Sequence, residues 1–132
     1  MRIEIQGKRI LNLAEVQVFS GTTNLALKGT ATQSSDEWGG VPERAIDDNT
    51  DGVMDHKSVS HTNKDTTDPW WQLDLKKEAI LNAIVIWNRT DAKYVHHMQK
   101  FSLKVLNEQQ QVVWETKVTQ PPMPSVTLTV GE

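Results

Sequence analysis

The chain has 132 residues, a formal net charge of −3, a charged fraction of 23% and no cysteine. That length builds one domain, residues 1–132, around a single sizeable core. The totals exclude a disulfide scaffold and a cysteine nucleophile, argue against structural zinc, and lack the basic stripe of a nucleic-acid binder.

No apolar run approaches the roughly 20 residues of a membrane helix, so membrane insertion is not expected. Met1 to Ile5 alternates like a strand and does not read as a signal peptide. Leu13 to Val18 is a second strand, apolar at Val16 and Val18, with Glu15 set ahead of the alternation where it can face a ligand. These two strands are expected to pair with each other. Leu25–Leu27 and Thr30–Gln33 are short extended pieces. Ser34 to Glu43 is a loop with Trp38-Gly39-Gly40 at its tip, and Asp47 to His61 is a long acidic stretch. Pro69 to Leu75 is an aromatic-weighted strand. Ile80 to Trp87 is β-branched and apolar, the pattern of a buried central strand. Ala92 to Lys100 is a loop carrying Tyr94, His96 and His97. Phe101–Leu106 and Val112–Val118 form a hairpin, and Val126, Leu128 and Val130 alternate in a last strand. Only Leu25–Leu27 and Asp91–Lys100 admit a helical turn. Many short strands at this spacing predict an all-β sandwich or barrel.

Asp47, Asn49, Asp51 and Gly52 occupy the first, third, fifth and sixth places of a calcium loop. Ser58 stands where an EF-hand has its glutamate, and the flanks lack amphipathic helices. The stretch reads as a calcium loop outside an EF-hand. Asp, Asn and Gly also favour a plain acidic turn for backbone reasons alone. Arg89 and Asp91 sit two apart after a buried strand, so the carboxylate can hold a guanidinium that presents fixed donors to sugar hydroxyls. Of the five tryptophans, Trp38 is the one expected at the surface, Trp87 and Trp114 pack in strands, and Trp70 and Trp71 point to opposite faces. His61, His96 and His97 match no zinc spacing, and no Gly-x-Ser-x-Gly elbow supports a hydrolase. Asn88-Arg89-Thr90 matches a glycosylation sequon.

Five segments together resemble one family. They are Asn24–Ser35, Arg44–Gly52, Ser58–Thr62, Pro69–Leu75 and Asn88–Asp91, and the likeness runs from about Asn24 to Val118. They resemble the fucolectin (F-type lectin) branch of the discoidin, or coagulation-factor 5/8 type C, superfamily. The resemblance implies a jelly-roll β-sandwich and a non-catalytic module that binds a glycan or polysaccharide, fucose or a related sugar. It implies an extracellular or cell-envelope place, as part of a larger secreted protein. The same fold also serves protein and cell-surface adhesion, and a glycan-processing enzyme is the remaining class. The family's last strand pair looks like Arg2–Ile5 and Ile10–Val18, so the chain looks circularly permuted.

The resemblance further implies a Ca2+ ion held by the side chains of Asp47, Ser58 and Glu15, with backbone oxygens from Arg44, Asn49 and Ala14. The family's sugar site uses one histidine and two basic residues. His61 and Arg89 match. The third place, normally arginine, falls at His96 by counting or at His97 if the loop is one residue longer. The family's vicinal cysteines are Ala92 and Lys93 here. Tyr94 or Trp38 is expected to offer an apolar face to the sugar, and binding is expected to weaken below about pH 6 if a neutral histidine must accept a hydrogen bond.

Overall fold

The N-terminal strand is placed by its alternation. Ile3 is fully buried, while Arg2 and Glu4 on the opposite face join an ion-pair chain with Lys104. The computed structural model describes residues 1–131. In it β1 (Arg2–Glu4) lies in the middle of a five-stranded antiparallel sheet. On one side it pairs with β7 (Trp70–Asp74), which pairs in turn with β5 (Thr30–Gln33). On the other it pairs with β9 (Phe101–Leu106), the inner strand of the hairpin with β10 (Val112–Val118).

A four-stranded sheet faces it. There β3 (Glu15–Ser20) lies between β4 (Thr23–Asn24) and β8 (Ala83–Trp87), and β11 (Ser125–Thr129) closes the far edge. Val16, Val18, Ile84 and Ile86 from this sheet meet Ile3, Trp71, Leu73, Phe101 and Leu103 from the other in one apolar cluster. Each such side chain contributes about 1.5–3 kcal/mol by leaving water. Trp71 is wholly buried, and its indole N–H donates to Pro42 O at 3.1 Å, so its one polar atom is satisfied. The two sheets thus enclose one core as an antiparallel β-sandwich.

Three expectations change. The two N-terminal strands do not pair with each other; they enter opposite sheets. Residues 6–14 carry the chain across the end of the sandwich, and on the way β2 (Asn12–Leu13) pairs with β6 (Ser60–His61) in a separate two-stranded sheet. The central strand begins at Ala83, not Ile80, whose side chain is exposed. Leu25–Lys28 and Ala92–Met98 are 3-10 helices, as are Pro42–Ile46 and Met54–His56 inside stretches expected to be irregular. Pro42 at the first position sets φ for one of these turns.

Deleting residues 1–20 removes an interior strand from each sheet together with Leu11 and Leu13 of the core. The truncated chain is expected to lose cooperative thermal unfolding, monitored by circular dichroism. A soluble deletion variant with a sharp melting transition would contradict the interior placement.

Candidate functional site

Strands β3 and β8 meet in register at Glu15 and Trp87, so one begins where the other ends. The loops of that end carry nearly all the residues singled out above. Arg89 follows β8 and is 8% exposed. Its Nε and Nη2 donate to Asp91 Oδ1 and Oδ2, both at 2.9 Å, a bidentate pair that fixes the guanidinium plane. The guanidinium lies 4.2 Å from the centre of the Tyr94 ring. That face of Tyr94 is therefore taken by a cation, and the most exposed aromatic of the region is Trp38, at 77% against 37% for Tyr94.

His61 is buried, and its Nδ1 lies 2.7 Å from Thr62 O. A carbonyl only accepts, so Nδ1 carries the proton and Nε2 keeps a lone pair. The tip of the Trp38 loop is tied to the same residue: Glu37 N donates to His61 O at 2.9 Å and His61 N to Gly40 O at 2.8 Å. A Cβ on Gly40 would lie 2.5 Å from His61 N, so only glycine permits this approach.

His97 stands beside His61, with ring centres 6.4 Å apart and planes at 89°. His96 is exposed and does not join the group. Of the two adjacent histidines it is His97, not His96, that stands beside His61 and lines the pocket. His61, Arg89, Tyr94, His97 and Trp38 line one open pocket of about 710 Å³, with Lys57, Lys64 and Arg44 among its other walls.

The acidic stretch packs against this pocket. Asp47, Asn49 and Asp51 each accept, through Oδ1, a hydrogen bond from the backbone N two residues on. These successive Asx turns wind the loop. Gly52 has no left-handed φ. It is needed for another reason: a Cβ there would lie 2.7 Å from both Asn88 O and Thr90 Cγ2, where Thr90 N also donates to Gly52 O at 2.8 Å. Asp91 Oδ1 accepts from Met54 N at 3.2 Å, so the carboxylate that holds Arg89 also holds the loop.

Glu15 is fully buried. Its Oε2 accepts from Asp48 N at 2.7 Å, while its Oε1 has no partner. Burial, reinforced by the Asp47 carboxylate, pushes its pKa up to about 8. Ser58 is also buried, and its hydroxyl donates to Asp51 O at 2.5 Å, which leaves oxygen lone pairs for a further contact. Among the described residues no three His, Asp or Glu side chains converge as a metal group. A cation here needs backbone and hydroxyl oxygens beside the two carboxylates. The sequon is closed in the fold, since Asn88 is 1% exposed and its Nδ2 donates to Val95 O and Pro122 O.

Residues 44–131 match the family model described as NedA-like, galactose-binding domain, of the F5/F8 type C group. The chain belongs to that family. A fucose-binding module from Streptococcus pneumoniae superposes with a TM-score of 0.77 at 33% identity, covering 86% of this chain and 80% of that one. The lectin domain of lectinolysin, solved in complex with Lewis b antigen, gives 0.79 at 32% identity over 83% of this chain and 78% of that one. Fucolectin-3 of Anguilla japonica is 41% identical over 73 residues, 52% of this chain. The chain spans about two-fifths of the length of such fucolectins, 39% in that case. The match covers residues 44–131, so neither Glu15 nor β2, the strand paired with the one that carries His61, lies within it.

One residue directly behind the pocket, Asn12, has no signal in the sequence because it sits far from any motif. It is fully buried, faces His61 across the β2–β6 pair, and lies 2.5 Å from His97.

Burial lowers the pKa of both site histidines. Arg89 adds to the effect at each, and His97 comes down to about 4, with His61 and Arg9 contributing. An unfolded histidine takes up its proton near pH 6.5. Between about pH 6.5 and 4 the unfolded chain therefore binds more protons at these two positions, and their contribution makes stability fall as pH falls. Glu15, whose carboxyl is raised to about 8, acts with the opposite sign over this range in parent and variant alike, so the expected outcome is a difference: between pH 7 and pH 5 the urea midpoint of His97→Gln falls less, or rises more, than that of the parent. The same shifts move the acid limit for a neutral His97 well below the expected pH 6.

Proposed function

We propose that this domain is a non-catalytic carbohydrate-binding module, supported by calcium, whose ligand site is the pocket between His61, Arg89 and His97. The observation that carries this reading is the pre-oriented guanidinium beside two neutral imidazoles. Arg89 is fixed by Asp91 before any ligand arrives, so its free N–H groups meet adjacent hydroxyls without reorganisation. Trp38 at the rim offers a face to sugar C–H groups. The relatives named as lectins and fucose-binding modules support the ligand class. They support a fucosylated glycan first, given the Lewis b complex of lectinolysin. We read the site as binding without chemistry, in a protein acting outside the cell or at its envelope. No helix among the described residues is long and apolar enough to cross a membrane.

Affinity for a single sugar is expected between about millimolar and micromolar, about 4–8 kcal/mol. A glycan array in calcium buffer, followed by calorimetry with the Lewis b tetrasaccharide, tests this. Arg89→Ala is expected to cost about 1.5–3 kcal/mol, the range for hydrogen bonds to a charged group, and His61→Ala is expected to weaken binding as well. Folded variants that bind like the parent would place the site elsewhere. An array with no retained glycan would favour the adhesion reading of the same fold.

The calcium reading rests on Glu15. A buried carboxylate with one unpartnered oxygen beside a second carboxylate is the arrangement a hard cation relieves. Glu15, Asp47 and the Ser58 oxygen would hold the ion, with backbone oxygens of Ala14, Arg44 and Asn49. The bound ion would supply charge neutralisation and a tie between β3 and the loop. At calcium about 100-fold above its Kd, linkage gives about 2.7 kcal/mol, on the order of 8–10 °C in melting temperature at this size. Calcium is expected to raise the melting temperature of the parent, and to leave Glu15→Gln and Asp47→Asn unmoved. An unchanged melting curve on adding a chelator to the calcium-loaded parent would sink the reading.

A further inference from the structure

Asn12 settles which nitrogen of His97 carries a proton. Its Nδ2 donates to Ser60 O at 2.9 Å. The reversed amide would set its oxygen against that carbonyl oxygen, so the orientation is fixed. Oδ1 is then the atom 2.5 Å from His97 Nδ1. An amide oxygen only accepts, so the proton sits on Nδ1 and the His97 Nε2 lone pair is left for the pocket. His61 reaches the same state by a different route, through Thr62 O. Neither Nε2 has a protein partner among the described residues. Two acceptor nitrogens therefore stand side by side next to one guanidinium.

We propose that Asn12 is a positioning residue that locks His97 in the Nδ1–H tautomer, so that the pocket selects a neutral ligand donating one hydroxyl to His61 Nε2 and another to His97 Nε2. This rests on the reading of the pocket as a sugar site and states which sugars it takes. A basic residue at the place of His97 donates hydrogen bonds and suits an acceptor or an anion; a neutral imidazole with its lone pair outward suits a hydroxyl and repels a carboxylate or sulfate. Of the charged or titratable groups around His97, all but Asp91 disfavour a charged ring. Arg89 and Arg9 disfavour an imidazolium, and Arg9 Nη2 donates to His97 O at 2.9 Å. His61 adds to the same effect. Asp91 would favour the charged ring but is engaged by Arg89 through both oxygens. Tyr94 packs with its ring centre 5.4 Å away.

Long-range proton–nitrogen-15 NMR of the ligand-free parent reads the tautomer directly. The expected result is a neutral His97 protonated at Nδ1 from pH 8 down to about pH 5. A proton on Nε2, or a charged ring at pH 7, overturns the proposal without any variant. Asn12→Asp keeps the accepting oxygen and adds a charge, and should raise the His97 titration midpoint by at least one pH unit. Asn12→Leu removes the acceptor and should give mixed tautomers. The binding arm uses methyl α-L-fucoside and its monodeoxyfluoro analogues, because fluorine cannot donate. In the parent, fluorination is expected to cut affinity about tenfold at two hydroxyl positions. A folded Asn12→Leu should bind the parent sugar about tenfold more weakly and lose the penalty at one of those positions. Unchanged binding by that variant overturns the positioning role. If the parent binds no sugar at all, the glycan reading and the selection of hydroxyls fail together, while the spectrum still decides what Asn12 does to His97.

Discussion

Two carboxylates from distant points of the chain hold the long loop that everything else leans on. Residues 47–59 have no strand partner, so their backbone groups must be satisfied by side chains. Glu15 takes Asp48 N at the loop's start, and Asp91 takes Met54 N near its middle. Between them the Asx turns of Asp47, Asn49 and Asp51 use up further N–H groups, and Ser58 ties the far limb to Asp51 O. Asp91 is the joint between this loop and the pocket, because the same carboxylate orients Arg89. Loop and guanidinium therefore share one carboxylate as a common support.

This arrangement explains why the acidic stretch looked ambiguous in the sequence. A calcium loop and a wound surface turn use the same Asp, Asn and Gly residues. The residue that bears on the choice is Glu15, more than thirty positions earlier, whose buried Oε1 has no partner, and it lies outside the stretch altogether. Gly52 shows the same limit. The sequence reads it as the bend of the loop, whereas its backbone φ is ordinary and its missing Cβ is what lets the loop close on Thr90.

The sandwich was legible because alternation reports burial strand by strand: Ile3, Val16, Val18, Leu103 and Phe101 all lie in the core as their spacing implies. Pairing was legible only for the Phe101–Leu106/Val112–Val118 hairpin, where a short turn joins the strands. Ile3 and Val16 have equivalent patterns, yet they enter opposite sheets, since period two tells which face is buried and not which sheet the strand joins. The 3-10 turns at Pro42–Ile46 and Met54–His56 were hidden for a related reason. They are too short for a periodic signal and are set by tertiary contacts of the loop. In the pocket, Arg89 and Asp91 were legible as neighbours in sequence, and His61 by resemblance. Asn12 was not, because its role exists only once β2 and β6 pair.

That pairing carries the last step. The β2–β6 ladder puts Asn12 opposite His61 and within reach of His97, so a two-residue strand serves both acceptors of the pocket at once. The frame that places three side chains round a sugar-sized space does not dictate whether each donates or accepts. At the place of His97 that choice passes to a buried amide one layer behind. Burying Asn12 costs desolvation unless both its polar atoms are matched, and both are, by Ser60 O and His97 Nδ1. A leucine of similar size would leave Ser60 O and His97 Nδ1 without their partner. The amide therefore serves the packing of β2 and the state of the imidazole through the same two hydrogen bonds.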